Sequence, residues 1–164
     1  MRESEDEHSI QEDLHAVLYV DGASRGNPGM AGAGAWMTNG SGGKRMEISR
    51  YLGRKTNNEA EYWALLLGLR EARRRGVKSI QVFTDSELIE KQVNGVYRVK
   101  HSNLKGLHKM VTQDLKEFSS FKIQSIPREQ NQEADRLANQ AIQRRILSEK
   151  KEGGSQGGRD GRFS

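Results

Sequence analysis

Leu18-Tyr19-Val20-Asp21-Gly22-Ala23-Ser24-Arg25-Gly26-Asn27-Pro28-Gly29 is an apolar, strand-length run that ends on a carboxylate and passes into a glycine-rich turn. Gly22, Gly26, Pro28 and Gly29 break the strand pattern of residues 16–20. A second stretch repeats the arrangement: residues 79–84 are β-prone, end on Asp85, and lead into a helical segment from Ser86 to about Val93. A helix lies between the two stretches, so a right-handed crossover sets the strands parallel and adjacent, with Asp21 and Asp85 side by side at their carboxyl ends. In open α/β sheets that edge is where ligands bind.

Outward from this pair, residues 33–38 form a second strand, and Asn39-Gly40 followed by Ser41-Gly42-Gly43 is a hairpin signal leading to a third strand that contains Met46, Ile48, Tyr51 and Leu52. Thr56 and Glu59 have the spacing of a capping box ahead of the helical run 60–72. The box gives Glu59 a structural role. Glu61 instead heads the stripe Leu65, Gly68, Ala72, on the side that faces the sheet, and a carboxylate there needs a partner or a metal ion. Residues 94–105 have the character of a basic loop. Residues 107–118 follow a helical period, residues 121–126 form the last strand, and residues 127–131 form the turn after it. Asn131 is an N-cap for a terminal helix from Gln132 to about Leu147, on which Asp135, Ala138, Ile142 and Ile146 share a face.

Composition limits the function classes. The chain has 164 residues, 34% hydrophobic and 30% charged, which fits one domain with polar ends. We divide it into an acidic, disordered lead-in (residues 1–14), a domain (15–147) and a flexible glycine-rich tail (148–164). There is no cysteine, which excludes a disulfide framework and a thiolate metal site. Neither a signal pattern nor a membrane-length apolar run is present, so the expectation is a cytoplasmic protein with no membrane partner. The net charge of +5 conceals an asymmetry, because residues 1–14 hold six acids and only Arg2 as a base; without them the chain carries 26 basic and 16 acidic residues, +10. Such a surface suits a polyanion, nucleic acid foremost.

Asp21, Glu61, Asp85 and Asp135 thus occupy element ends that can converge. Any one of them alone is explained as well by a helix cap or a strand end, but four at matched positions are not. Clustered carboxylates repel, and their pKa values rise unless a cation neutralises them. An all-oxygen set without cysteine favours Mg²⁺ or Mn²⁺, and two such ions can activate a water and stabilise a leaving oxygen in phosphoryl transfer. The chain has no Walker-type loop and no metal-ligand spacing among its four histidines.

With these residues assembled, the chain resembles type 1 ribonuclease H. The matching blocks are Asp21-Gly-x-x-x-Gly26-Asn27-Pro28-Gly29, Thr56-Asn57-Asn58-x-x-Glu61, Thr84-Asp85-Ser86 and Asn131-x-x-x-Asp135-x-Leu137-Ala138. The resemblance implies an α/β ribonuclease H-like fold, a five-stranded mixed sheet flanked by helices. It also implies Mg²⁺- or Mn²⁺-dependent hydrolysis of the RNA strand of an RNA–DNA hybrid, with two ions held by Asp21, Glu61, Asp85 and Asp135. By position, Asn27, Thr56, Asn57 and Asn58 match residues that contact the hybrid. Two departures stand out. Many members carry a histidine before the last acid where this chain has Pro127-Arg128-Glu129-Gln130-Asn131, leaving Arg128 or Glu129 as substitutes. The short segment 94–105 leaves little room for the basic protrusion that some members insert. A hybrid- or RNA-binding module with weak or no turnover is the alternative that the missing histidine motivates. No obligate protein partner is implied, and the expectation is a monomer.

Overall fold

The computed structural model describes residues 15–39 and 43–163, with side chains through residue 153. The acidic lead-in and the hairpin tip at residues 40–42 lie outside the described residues. Among the described residues, five strands and four helices follow in the order β1 (His15–Gly26), β2 (Gly29–Thr38), β3 (Met46–Lys55), α1 (Asn57–Arg74), β4 (Ser79–Thr84), α2 (Glu87–Val93), α3 (Ser102–Leu115), β5 (Ser120–Ser125) and α4 (Gln132–Phe163). A 3₁₀ turn, Arg128–Gln130, sits between β5 and α4.

The strands make one mixed sheet in the order β3-β2-β1-β4-β5. β1, β2 and β3 pair antiparallel, while β4 and β5 join β1 in parallel. Period 2 puts Leu18 and Val20 of β1 and Ile80 and Val82 of β4 on one face, where they meet Tyr62, Leu65, Leu66 and Leu69 of α1 and Leu104, Val111 and Leu115 of α3. α4 packs on the opposite face, against β1, β2 and β3. No helix among the described residues is long and apolar enough to cross a membrane.

The capping box exists as the spacing predicts: Thr56 Oγ1 accepts from the Glu59 amide at 3.1 Å, and Glu59 Oε1 accepts from the Thr56 amide at 3.0 Å. Thr56→Ala is expected to cost about 1 kcal/mol, because it frees a helix-end donor. Chemical denaturation checks this, and Thr56→Ser should recover most of the loss.

Three boundaries differ from the sequence expectation. β1 does not stop at Val20; it continues to Gly26, and its hairpin partner β2 begins at Gly29. The expected turn is there but tighter: Asn27-Pro28 reverses the chain between the paired Gly26 and Gly29, and Gly26 takes a positive φ of 103°, whereas Gly22 is a strand residue placed by close packing against α1. α3 begins at Ser102 rather than Leu107, which shortens the loop to residues 94–101. Leu104 is its first buried anchor, and Gly106 masks that turn in the sequence. α4 runs past Leu147 to Phe163. Arg145 and Glu149, paired at 2.9 Å one turn apart, carry the helix forward, and propagation adds a hydrogen bond per residue once a helix exists.

Candidate active site

Asp21 and Asp85 meet as the crossover requires. The parallel register runs from His15↔Ser79 to Val20↔Thr84, so the two acids are the residues immediately after the last parallel pair. Asp21 is therefore not at the end of its strand but where β1 leaves β4 and goes on with β2 alone. It is 5% exposed.

The glycines around Asp21 bring in the helices. Gly22, on the α1 face, lies so close to that helix that a Cβ on it would stand 2.2 Å from the Ala60 carbonyl carbon, beside Glu61. On the other face Asp21 pairs across the sheet with Gly34, and a Cβ on Gly34 would stand 2.0 Å from the Ala134 carbonyl oxygen, beside Asp135. Each helical acid is thus delivered by a helix resting on a glycine next to, or opposite, Asp21.

The result is a cleft of about 480 Å³ lined by Asp21, Glu61, Asp85, Asp135, Asn57 and Arg128, among others. Carboxylate oxygens of Asp21, Glu61 and Asp85 lie within 4.8 Å of one another. Asp135 stands beside this trio, within hydrogen-bonding reach of Asp21. It is held by Asn139, whose Nδ2 donates to Asp135 Oδ1 at 3.2 Å.

Burial, then the Asp85 charge, then the hydrogen bond with Asp135, push the Asp21 carboxyl up to about 9. Burial and Asp85 raise Glu61 to about 7, against a hydrogen bond from Ser86 and the charge of Arg128. Asp85 is also raised by burial, partly offset by a hydrogen bond from Asn131 and by Arg128. These acids cannot all ionise together without a cation. The donors are hard oxygens, and their crowding suits a divalent ion of the Mg²⁺ or Mn²⁺ type.

Arg128 reaches the cleft from the 3₁₀ turn, with Nη2 3.8 Å from Asp135 Oδ1, yet its side chain is 79% exposed. Glu129 is exposed on the same turn and is not among the residues lining the cleft. Of the four substrate candidates, Asn57 lines the cleft, and its amide donates to Asn27 Oδ1 at 3.1 Å. The Thr56 hydroxyl is engaged in the cap. Asn58 faces a different groove, shared with Val96, Tyr97, Arg98 and Lys100.

Asn131 differs most from its expected part. Its Nδ2 donates to the Val20 carbonyl at 2.8 Å, and its buried Oδ1 has no hydrogen-bond partner among the described residues. Asn131 does hold the cap position, its carbonyl accepting from the Asp135 amide at 3.2 Å, but its side chain ties the helix to the residue before Asp21 and to Asp85 rather than capping it. No local spacing signals such a long-range tether. Asn139 had a signal, one helical turn beyond Asp135.

Comparison with known proteins agrees with this geometry. A family model described as reverse transcriptase-like matches residues 19–141, a span that holds all four acids. Ribonuclease HI of Halobacterium salinarum is 40% identical over 129 residues, covering 79% of this chain and 64% of that protein. A bifunctional protein of Mycobacterium tuberculosis is 39% identical over 131 residues, covering 79% of this chain and 36% of its own length. The chain thus spans less than two thirds of these curated relatives. The crystal structure of RNase H1 from Halobacterium salinarum superposes with a TM-score of 0.77 at 39% identity, covering 79% of this chain and 98% of that one. LC11-RNase H1, isolated from compost and solved with an RNA/DNA hybrid, gives 0.76 at 38% identity, covering 80% and 99%. With the four acids, the mixed sheet and these relatives in agreement, the chain belongs to the type 1 ribonuclease H family.

Proposed function

We propose that this protein is a metal-dependent endonuclease that hydrolyses the RNA strand of RNA–DNA hybrids. The observation that carries the reading is the convergence of Asp21, Glu61 and Asp85, oxygens within 4.8 Å, with Asp135 beside them in an open cleft. A pure nucleic-acid binder gains nothing from negative charge gathered where phosphates must approach. Two divalent cations, Mg²⁺ or Mn²⁺, held by the four acids would supply a water nucleophile at neutral pH and offset charge on the leaving oxygen. Asp21 provides the inner, buried anchor with half-buried Asp85 beside it, Glu61 closes the site from α1, and Asp135 closes it from α4. Asn57, held by Asn27, offers a neutral side chain at the cleft for backbone or 2′-hydroxyl contacts, with Thr56 and Asn58 beside it on the same helix start. One chain supplies every acid of the cleft, so we take the working unit to be a monomer. A cysteine-free chain suits the cytoplasm. We take residues 15–147 as the catalytic domain.

The deciding experiment incubates the protein with a labelled RNA–DNA hybrid and Mg²⁺ or Mn²⁺, beside Asp135→Asn. Metal-dependent loss of the RNA strand by wild type alone is expected. Hybrid binding with no cleavage in either metal would sink the reading in favour of a binding module.

Of the two candidates for the part of the missing histidine, we take Arg128, which lines the cleft while Glu129 does not. The positive charge of Arg128 favours the ionised forms of Glu61 and Asp85, partly offsetting what burial does to them. Arg128→Ala is expected to lower turnover about ten-fold, equivalent to ~1.4 kcal/mol of barrier, while Glu129→Gln stays near wild type. Steady-state rates on one hybrid compare the two, and equal rates for Arg128→Ala and wild type would remove Arg128 from the mechanism.

A further inference from the structure

The pole of the sheet opposite the acids carries a basic trough that the catalytic reading does not use. One groove, of about 520 Å³, includes Arg70, Arg73, Arg74, Lys78 and Val77 in its lining. A second, of about 330 Å³, includes Val77, Arg75, Arg45 and His15. Val77 borders both, so the two grooves adjoin there, one reaching His15 and the other the arginines at the end of α1. Two acids brace the guanidinium groups: Asp114 takes Arg70 at 3.3 Å and Arg73 at 3.1 Å, and Glu71 takes Arg74 at 2.6 Å and Arg75 at 2.9 Å. Each carboxylate thus serves two arginines. Even counting Glu117, the pole keeps a positive excess. Arg74 remains 69% exposed.

His15 is also where residues 1–14, with six acids and one base, join the domain. Its ring lies 3.1 Å from Ser79 Oγ at the beginning of β4. The six-residue β4 separates this pole from the catalytic edge by about 20 Å. An acidic segment tethered at the mouth of a basic trough meets it at an effective concentration in the millimolar range. We propose that residues 1–14 dock in this trough, with Glu3, Glu5, Asp6, Glu7, Glu12 and Asp13 answering Arg73, Arg74, Arg75 and Lys78. The segment thereby shields a pole that would otherwise hold nucleic acid out of reach of the four acids. Its charge matches the trough and not the acid-lined catalytic cleft.

The chain has no cysteine, so Ser9→Cys in the full protein takes a single nitroxide label, six residues from His15 and within about 20 Å of it. Amide broadening is expected to concentrate on residues 73–79 and to fade between about 50 and 500 mM NaCl as the charges are screened. Broadening spread evenly over the domain, or centred on Asp21 and Glu61, overturns the proposal. In a second arm, neutralising the six acids (E3Q, E5Q, D6N, E7Q, E12Q, D13N) should tighten binding of duplex DNA and steepen its log–log salt slope by about two to three. Adding R73Q, R74Q and K78Q should reverse that gain. An unchanged slope, or a gain that survives the added substitutions, means that nucleic acid does not compete for this trough, and the proposal falls.

Discussion

Asp21→Asn is expected to abolish hydrolysis and, in metal-free buffer, to make the protein more stable. The first effect follows from removing the most buried anchor of the acidic cluster, and a loss of at least ~1,000-fold in rate is the scale for a member of such a unit. The second follows from the proton that Asp21 holds. Burial and the Asp85 charge raise its folded-state pKa to about 9, far above the 3.8 of a free aspartate. Between those two values the folded protein binds a proton that the unfolded chain does not, so stability falls as pH rises through that window. The contribution is intact below the unfolded value and lost towards the folded one. Asparagine has no proton to lose, so the variant escapes this cost. At pH 8 with chelator present it should exceed wild type by a few kcal/mol at most, or roughly 5–10 °C in melting temperature. Divalent metal should then reverse the order, because it stabilises wild type and has lost a ligand in the variant. Calorimetry from pH 5 to 9, with and without Mg²⁺, measures both. A variant that melts at or below wild type in chelator at pH 8 would show that Asp21 is not under charge stress.

The four acids are legible in the sequence because local signals place each one. Asp21 and Asp85 terminate apolar runs, Asp135 and Glu61 head core stripes, and the Thr56–Glu59 box leaves Glu61 as the acid of α1 without a structural task. The parallel neighbours β1 and β4 follow from the helix between them. What the sequence hides depends on contacts between distant segments. Gly22 resembles a turn residue, and only the approach of α1 explains a glycine there inside β1. Asn131 has the local signature of a cap, but the Val20 carbonyl, 111 residues away, takes its amide. Gly106 breaks the helical pattern of α3 because its cost in propensity is visible, whereas burial of Leu104, which outweighs it, is not. Arg128 and Glu129 are equal candidates by position in the turn, and only the direction of the 3₁₀ turn separates them.

Gly22→Ala should be among the most damaging one-carbon changes outside the acids. The added Cβ would stand 2.2 Å from the Ala60 carbonyl carbon and 2.3 Å from the Glu61 amide nitrogen. These neighbours are helix backbone, so no side chain can rotate away, and α1 must move as a body by an ångström or more. Its inner face is the largest part of the core, with Leu65, Leu66 and Leu69 fully buried. Displacing it is expected to cost about 3 kcal/mol or more. Whatever fraction still folds must lose activity, because Glu61 moves with the helix while Asp21 stays on the strand. Gly106→Ala gives the contrast. It lies in α3 with nothing within 4 Å of a built Cβ, so alanine should raise stability by about 0.5–1 kcal/mol through helix propensity. Denaturant titration and hybrid cleavage on both variants provide the check. If Gly22→Ala folds with wild-type stability and cleaves at the wild-type rate, α1 does not rest on β1 as described, and the same close approach cannot be what places Glu61 beside Asp21.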